Sequence, residues 1–301
     1  MGLKRESRFA MAACLLGANA PDIDVFAPLI LPVDGIAFHR GPIHSVFAVP
    51  LLAAAITGIL WLLDKLFPSQ HRQFRPRALF VVALLAAASH PFLDWLTTYA
   101  IAIFSPVSWR WYSGNAIFIV DWVYWLVMVI GIALSSRRWR SEHPNAGNPA
   151  QLAGLVLVAY IAFNLGESAT VESRSADLLR KGGIEPTLIV ASPPPFAFWD
   201  RAVLWRSNDR WGSGQYDPLG GLRLDPGDQP LGLDNPKLAL AKSRSRHIRS
   251  FLTWSRMPLV IEQDGHTYLT DQRFYGSLRS HAIPKKVRTF FASHSFLIPL
   301  D

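Results

Sequence analysis

The sequence predicts a mainly α membrane protein with two parts: a multi-span transmembrane helical domain over residues 1–166 and a small α+β or β-rich extramembrane domain over residues 167–301. Half of the 301 residues are apolar, and only 17% are charged. An ordinary soluble domain carries roughly 25% charged residues. The mean hydropathy is +0.19. These values exclude a disordered or fibrous chain and argue against a purely soluble globular protein.

The charges are absent from long stretches of the first part. Three apolar runs contain at most one charged residue each, and a fourth, shorter run contains none. Because about twenty apolar residues cross the hydrocarbon core of a bilayer, these runs predict membrane spans. The predicted spans lie near residues 44–63, 79–103, 117–135 and 150–166.

A further apolar stretch at the N-terminus is interrupted in its middle. Residues 9–20 and 25–36 are apolar, and Pro21, Asp22 and Asp24 lie between them. We expect a broken or partly inserted helix here. A cleaved signal peptide is the alternative, since it also begins with a basic cluster and an apolar run. The helix is favoured, because the interruption carries the strongest motif of the first forty residues.

The basic residues of the connecting segments predict the orientation in the membrane. From the N-terminus to residue 149, the number of Lys and Arg in successive connections alternates as 3, 1, 4, 1 and 3. Cytoplasmic loops collect Lys and Arg, so this pattern predicts five crossings with a cytoplasmic N-terminus. The chain after about Glu167 then lies outside. The same rule accounts for part of the net charge of +8, and we therefore expect no nucleic-acid partner.

The second part contains patterns of both helix and strand. Residues 236–254 are predicted to be helical, with a strongly basic outer face. Residues 258–263 and 266–270 flank Asp-Gly, the most frequent two-residue turn of a β-hairpin. Residues 287–292 and 295–298 are candidates for further strands.

The ionisable residues of the apolar half are the main functional evidence. Such a side chain costs several kcal/mol at membrane depth unless it is paired, solvated or bound to a metal. The chain has one cysteine, Cys14, which excludes a thiolate cluster. Imidazole and carboxylate groups suit a divalent ion, with Zn²⁺ expected first and Mn²⁺ second. The predicted metal ligands are Asp22, Asp24, His39, His44, His90, Asp94 and Asp121.

The spacing within these residues indicates how they meet. His90 and Asp94 are four residues apart and therefore project from one helical face. The alternative for this pair is a buried hydrogen bond that fixes helix packing. Asp22 and Asp24 lie two apart behind Pro21, so a turning backbone can bring both to one ion. Their alternative is a helix cap or an Asx turn.

The other three candidates lie at the ends of predicted spans. His39 and His44 flank a Gly-Pro loop that leads into a helix, and His39 is the one more easily explained as an interfacial bystander. Asp121 begins the span near 117–135, where an N-terminal helix cap is the alternative. Under the predicted orientation, all of the candidates lie toward the outer leaflet, which favours a single site.

Several motifs resemble those of a bacterial inner-membrane family of metal-dependent hydrolases. The similar segments are residues 20–24, 39–45, 89–94, 114–121, 251–258 and 270–275. The resemblance implies a hydrolase of largely unassigned substrate. It also implies a distant similarity to zinc-dependent phospholipase C and P1-type nucleases, which are helical and hold clustered zinc through His and Asp. The ligands that it implies are Asp22, Asp24, His44, His90 and Asp94.

Two positions depart from the family pattern. Members open with a Thr-His pair ahead of the first helix, whereas this sequence begins with Met1 and Gly2. We therefore expect either a start upstream of Met1 or a site with one ligand fewer. Asn115 stands where an Asp is expected, which leaves the number of metals at one or two.

The expected chemistry is metal-assisted hydrolysis of a phosphoester or other ester. One or two Zn²⁺ ions would polarise the scissile group and lower the pKa of a bound water toward about 7. Asp24 or Asp94 would accept the proton, and Arg40 would neutralise charge on a phosphoryl oxygen. The expected partners are the lipid bilayer of the bacterial inner membrane and a small-molecule or lipid-linked substrate.

Two functions from other classes compete with hydrolysis. An integral membrane transporter or proton relay also uses intramembrane Asp and His, but it needs spaced single groups, whereas His and Asp occur here in close pairs. In the second alternative, the helices only anchor the domain over residues 167–301.

Overall fold

The computed structural model describes residues 7–69, 73–225, 229–275 and 297–301. Helices occupy the first part of the described chain and two antiparallel sheets lie in the second, as the sequence predicts. The chain forms two compact units. The first contains Met1–Ser113 with Arg249–Trp254, and the second contains Gly114–Ile248 with Ser255–Asp301.

The first unit is built from helices and short turns. In chain order, its elements before residue 114 are α1 (Ala10–Asn19), a 3₁₀ segment (Ala20–Phe26), α2 (Ala27–Ile30), α3 (Gly35–Phe38), a 3₁₀ turn (Pro42–His44), α4 (Ala48–Leu66) and α5 (Pro76–Trp95). Small residues allow α1 and α5 to approach closely: a Cβ added at Gly17 would lie 2.7 Å from the carbonyl oxygen of Ala83. Close contact through small residues is typical of helices packed in a membrane.

The predicted break in the first apolar stretch is confirmed. Helix α1 ends at Asn19, and Pro21 lies in the first turn of the 3₁₀ segment. Proline has no N–H to donate and restricts the residue before it, so the regular hydrogen-bond ladder stops here. The break places Asp22 and Asp24 at the end of a helix rather than along its side.

Four helical segments of the described chain are long and apolar enough to cross a membrane. They are Ala10–Ile30, Ala48–Leu66, Pro76–Trp95 and Asn148–Lys181. They correspond to the predicted broken stretch and to three of the four predicted spans. Their ends differ from the prediction: the helix expected over 79–103 ends at Trp95, and the backbone beyond it turns and forms an isolated bridge between Ile101 and Tyr112.

The predicted span near 117–135 is not among these four segments. The helix there, α6, covers Trp122–Arg140, and Arg137, Arg138 and Arg140 occupy its last turn. Its uncharged part therefore extends for roughly 22 Å at 1.5 Å per residue. This is less than the roughly 30 Å of a bilayer core, so α6 is not among the candidate spans of the described chain, and the predicted fifth crossing stays a prediction.

The second unit combines two helices, two sheets and shorter helices. After α6, its elements are α7 (Asn148–Lys181), β1 (Leu188–Ser192), β2 (Arg201–Arg206), β3 (Arg210–Asp217), β4 (Gly221–Leu224), β5 (Gln229–Pro230), α8 (Pro236–Arg244), α9 (Arg246–Trp254, which ends in the first unit), β6 (Pro258–Gln263), β7 (His266–Asp271), α10 (Gln272–Tyr275) and β8 (Ile298–Pro299). The order in the larger sheet is β1-β2-β3-β4, with β5 also paired to β3, and the smaller sheet is β6-β7-β8.

Helix α7 is longer than the predicted span over 150–166. It has 34 residues, and the boundary predicted after residue 166 falls inside it. The composition changes at that point, but residues 167–181 contain neither Gly nor Pro, so nothing in them stops the helix. Val171 on this continuation packs against Ala191 of β1 and Val203 of β2. The compact units divide between Ser113 and Gly114.

The predicted hairpin is confirmed, with Gln263 paired to His266. Asp264 and Gly265 both have positive φ, as the hairpin turn requires. The single helix predicted over 236–254 is two helices, because Ser245 has an extended backbone between α8 and α9. The strand predicted over 287–292 lies outside the described residues, as does most of the one over 295–298.

Four polar residues of α7 face the interior of the second unit. They are spaced by four residues and are Tyr160, Asn164, Ser168 and Glu172. The guanidinium of Arg201, which is fully buried, donates to Ser168 Oγ at 3.0 Å and to Asn164 Oδ1 at 2.9 Å. Buried polar groups need such partners, so this stripe joins the helix to β2.

A buried ion pair follows the end of β7. Asp271 and Arg273 have fully buried side chains and are 2.8 Å apart, and Asp271 Oδ2 also accepts the Met257 backbone N–H. Burial alone would raise the pKa of Asp271, but the charge and hydrogen bonds of Arg273 outweigh it, and the pKa is lowered.

We predict that Asp271→Asn destabilises the second unit by about 3–5 kcal/mol at pH 7, because the Arg273 charge loses its buried partner. A carboxyl whose pKa is lower in the folded chain than in the unfolded chain stabilises the fold when the pH lies above its unfolded pKa of about 3.9. This stabilisation is lost as the pH falls toward the folded pKa. The wild-type chain should therefore lose stability below about pH 4 more steeply than the variant. Thermal unfolding of the full chain in detergent between pH 3 and 7 measures both effects. Asp209→Asn, which alters an exposed pair with Arg210, is the control and should change little.

Candidate metal centre

Three segments of the first unit bring ionisable residues to one place. The 3₁₀ segment after α1 contributes two carboxylates, the turns before α4 contribute two imidazoles and a guanidinium, and the last turns of α5 contribute an imidazole and a carboxylate. In chain order these residues are Asp22, Asp24, His39, Arg40, His44, His90 and Asp94. The cluster therefore lies where α4 begins and α5 ends.

The other end of this helical unit is marked by a different ion pair. Arg8, just before α1, lies 2.8 Å from Asp64 in the last turn of α4. The distance along α5 from Pro76 to His90 is about 21 Å at 1.5 Å per residue. The cluster and the Arg8–Asp64 pair are thus separated by most of the thickness of a bilayer core.

Four side-chain atoms of the cluster lie close together, and three of their residues, Asp22, His44 and His90, form a group that could hold an ion. Asp22 Oδ1 lies 3.4 Å from His44 Nε2 and 3.2 Å from His90 Nε2. Asp94 Oδ2 lies 3.4 Å and 3.5 Å from the same two nitrogens. Ligands bound tetrahedrally to zinc at 2.0–2.1 Å are about 3.3–3.4 Å from one another. Four of the six edges of this four-atom group therefore have the length that a tetrahedral zinc site requires.

Hydrogen bonding within the four-atom group is incomplete. His44 Nε2 and Asp94 Oδ2 are buried and have no hydrogen-bond partner. An unpaired buried polar atom costs about 1–3 kcal/mol, so both atoms call for an additional ligand. A divalent ion at the centre of the four atoms fits this requirement, and the donor set of two imidazoles and two carboxylates suits zinc.

Asp24 lies behind the four-atom group and has a fully buried side chain. Its Oδ2 is 3.0 Å from His44 Nδ1 and accepts the backbone N–H of Arg40 at 3.2 Å, while its Oδ1 is 2.7 Å from His39 Nδ1. A carboxylate on the far nitrogen of a ligating imidazole fixes the tautomer that exposes Nε2. This position makes Asp24 an orienting group for His44.

The far nitrogen of His90 is fixed in a similar way. Its Nδ1 lies 2.7 Å from the carbonyl oxygen of Ala18, near the end of α1. The proximity expected from the four-residue spacing of His90 and Asp94 is confirmed. The carbonyl of Ala18 has no signal in the sequence, because it is a main-chain atom brought close by helix packing.

His39 lies beside the four-atom group without belonging to it. Its ring stands at right angles to that of His44, with centroids 5.5 Å apart, and its side chain is 29% exposed. Ligand atoms of Asp22, Asp24 and His39 also lie within 4.8 Å of one another, so these residues form a second group that could hold an ion. In that group, the His39–Asp24 contact is already a hydrogen bond.

Arg40 faces Asp94, and its side chain is only 11% exposed. Its guanidinium is 3.0 Å from Asp94 Oδ1 and 4.4 Å from the centroid of the Tyr99 ring. The sequence predicts that Arg40 neutralises charge on a substrate, whereas here its charge is paired with a carboxylate of the cluster. Tyr99 was not recognised from the sequence, because a tyrosine in an apolar run is more often simply packed.

The charge of the cluster depends on His44. Burial alone would lower its pKa, but the hydrogen bond with Asp24 and the charges of Asp24 and Asp94 raise the pKa of His44 to about 9. Without an ion, a protonated His44 therefore offsets part of the charge of the carboxylates. A ligating imidazole must be unprotonated. When a cation is bound, the cation therefore offsets the charge of the carboxylates in place of the proton on His44.

Asp121 belongs to the second unit and has other partners. It caps α6 by accepting the backbone N–H of Tyr124 at 2.9 Å, and it accepts the hydroxyl of Tyr160 at 2.8 Å. Within the described residues, Asp121 is in neither of the two His/Asp groups. Asp121 is thus a helix cap, which was the alternative to a metal ligand at this position. Asn115 of the same unit donates to Glu172 Oε1 at 3.3 Å.

The fold and the cluster together define a multi-span membrane protein with a His/Asp centre at one end of its helices. The family model described as YdjM inner membrane protein matches residues 2–170, and the chain belongs to this family. The matched range includes all seven predicted ligands. Membership supports the predicted inner-membrane location.

One curated relative is the "Uncharacterized protein YfhP" of Bacillus subtilis (strain 168). The two sequences are 31% identical over 128 residues, which is 41% of this chain and 36% of that protein. The chain thus matches little more than a third of the length of this relative. No solved structure matches the chain.

We predict that Asp22→Asn and Asp24→Asn affect zinc binding differently. Loss of an orienting carboxylate typically weakens metal binding by 10- to 100-fold, so Asp24→Asn should bind the wild-type amount of zinc at saturation with affinity reduced by about that factor. Asp22→Asn removes a ligand and should not reach that amount. Titration of metal-stripped protein with zinc measures both. Asp64→Asn, at the opposite end of the helices, is the control. If Asp24→Asn binds less zinc at saturation, Asp24 is a ligand itself.

Proposed function

We propose that the protein is a membrane-embedded, metal-dependent hydrolase that cleaves a phosphoester or other ester in a lipid-associated substrate. The observation that carries this proposal is the four-atom group: four of its edges have the length found in tetrahedral zinc sites, and two of its buried atoms lack a hydrogen bond. Family membership supports the membrane location and says nothing about the reaction.

The residues of the cluster divide into those that bind the ion and those that hold the binding residues. When bound, a divalent ion supplies a Lewis acid that polarises the scissile bond and lowers the pKa of water. His44 and His90 present Nε2 to it, held by Asp24 and by the Ala18 carbonyl respectively. Asp94 presents Oδ2.

Access to the centre is favoured from the side of Asp22. Its side chain is 53% exposed, whereas that of His44 is fully buried and that of Asp94 is 15% exposed. His39 is the other partly exposed group of the cluster. A proton released in hydrolysis is therefore taken up more easily by Asp22 or His39 than by Asp24, whose oxygens are already engaged.

Exposed apolar side chains near the cluster support a lipid-associated substrate. The segment that carries Asp22 and Asp24 continues into large side chains that are more than half exposed, namely Ile23, Val25, Phe26, Leu29 and Ile30. A bilayer or the acyl part of a substrate can cover this surface. With the N-terminus in the cytoplasm and five crossings, as the basic loops predict, the cluster lies at the outer leaflet and the C-terminal part lies outside. The four candidate spans alone would return the C-terminal part to the cytoplasm.

We predict that purified full-length protein contains zinc or manganese and hydrolyses an ester. Elemental analysis gives the metal content. Activity is measured on a nitrophenyl phosphodiester, a nitrophenyl carboxylic ester and a fluorescent phospholipid in mixed micelles. His90→Ala removes one of the four ligand atoms, so it should lose metal and reduce hydrolysis to background. His143→Ala alters an exposed histidine of the second unit and should behave like the wild type.

Two outcomes would contradict the proposed function. Protein without zinc or manganese whose composition is unchanged by His90→Ala has no metal centre of this kind. Metal-loaded protein that hydrolyses none of the three substrates, but carries a metal-independent ion flux in proteoliposomes, is a transporter or proton relay.

A further inference from the structure

We propose that Arg40 determines which metal the centre selects, by restricting Asp94 to a single coordinating oxygen. This inference rests on the proposed metal centre and concerns its coordination number. Arg40 is therefore a positioning residue that acts through Asp94.

The two oxygens of Asp94 have different surroundings. Oδ1 is paired with the guanidinium of Arg40 at 3.0 Å. Oδ2 faces the nitrogens of His44 and His90 and has no hydrogen bond. A carboxylate can bind a metal through one oxygen or through both. As long as the guanidinium holds Oδ1, only Oδ2 is free to coordinate an ion.

Arg40 is itself held in this position by several contacts. Its guanidinium lies over the Tyr99 ring at 4.4 Å and reaches Thr97 Oγ1 at 3.5 Å. Its backbone N–H donates to Asp24 at 3.2 Å, and its carbonyl accepts the N–H of Ala102 at 3.0 Å. One residue thus contacts Asp94 and also Asp24, the orienting group of His44.

The backbone of Arg40 lies in the left-handed region, with a φ of 61°. A residue other than glycine is uncommon there, and strain of this kind is maintained where the surrounding contacts require it. The guanidinium contacts Asp94 on one side and the Tyr99 ring on another. Arg40 is therefore poorly placed to bind a substrate and move with it. The contacts explain a fixed arginine better than one that binds a transferred group.

Coordination number distinguishes the two metals expected from the sequence. Zinc in protein sites usually has four ligands in a tetrahedron, whereas manganese favours six and more oxygen donors. With Asp94 bound through one oxygen, the four-atom group provides four ligand atoms, the number that zinc prefers. Without the guanidinium, Oδ1 loses its partner and Asp94 can turn to bind through both oxygens, which raises the coordination number and favours manganese.

The test compares the full-length wild type with Arg40→Gln in detergent. Both proteins are stripped with a chelator and reloaded with Co²⁺ alone, or with equal concentrations of Zn²⁺ and Mn²⁺. Four-coordinate cobalt absorbs visible light strongly, and cobalt with more ligands absorbs weakly. We expect strong absorption for the wild type and weak absorption for the variant. Zinc affinity should fall about 10- to 100-fold, and the ratio of bound manganese to zinc should rise.

Arg110→Gln is the matched control. Its guanidinium also lies over a tyrosine ring of the first unit, that of Tyr112, at 5.5 Å. The control should keep the wild-type cobalt spectrum and metal ratio. Glutamine is chosen for position 40 because glycine would also relax the left-handed backbone. If Arg40→Gln does not fold, Arg40→Lys replaces it, with a smaller change expected in the same direction.

The outcomes separate this inference from the proposed function. If the wild type gives the tetrahedral cobalt spectrum and the folded Arg40 variant gives the same spectrum and metal ratio, the role of Arg40 is wrong and the metal centre stands. If the wild type binds no metal, both proposals fail. A lower zinc affinity with an unchanged cobalt spectrum also overturns the selection role, since Arg40 would then affect only the strength of binding.

Discussion

The arrangement of the cluster depends on one buried carboxylate, that of Asp24. Its oxygens contact Nδ1 of His39, Nδ1 of His44 and the backbone N–H of Arg40, so it connects the break after α1 to the turns before α4. A buried carboxylate is tolerated only when it is fully paired. These contacts therefore provide the hydrogen bonds that the buried Asp24 carboxylate needs. They also fix the orientation of the His44 imidazole, whose Nε2 belongs to the four-atom group. Pro21 contributes by ending the regular ladder of α1, so that the carboxylate can turn inward.

The same geometry makes the centre costly without an ion. Two buried atoms have no hydrogen bond, and an unsatisfied buried polar atom costs about 1–3 kcal/mol. Three carboxylates also lie close together in the cluster, namely Asp22, Asp24 and Asp94. An ion that binds the folded protein alone would recover part of this cost and stabilise the first unit. Without an ion, the first unit is therefore less stable than it would be with one, but the geometry of the cluster is already formed before an ion binds.

The sequence predicts those features that depend on local spacing. The positions of α4 and α5, the break at Pro21 and the proximity of His90 and Asp94 all follow from apolar runs, a proline and a four-residue interval. The division of roles between Asp22 and Asp24 does not follow, because it depends on which carboxylate the 3₁₀ turn directs toward the interior. The cap made by Asp121 and the pairing of Arg40 with Asp94 depend on contacts between distant segments, as does the continuation of α7 onto β1. Periodicity contains no information about such contacts.

Helix α7 runs without a break from an apolar first half to a more polar second half, which packs on β1 and β2 of the same unit. The family match ends at residue 170, while the helix runs on to Lys181. Each turn of an α-helix bonds only to its neighbouring turns, so a helix can be lengthened at its end without disturbing earlier turns. The polar second half of α7 therefore holds the larger sheet in a fixed position on the helix. A flexible linker at this point would have let the sheet move independently of the helix.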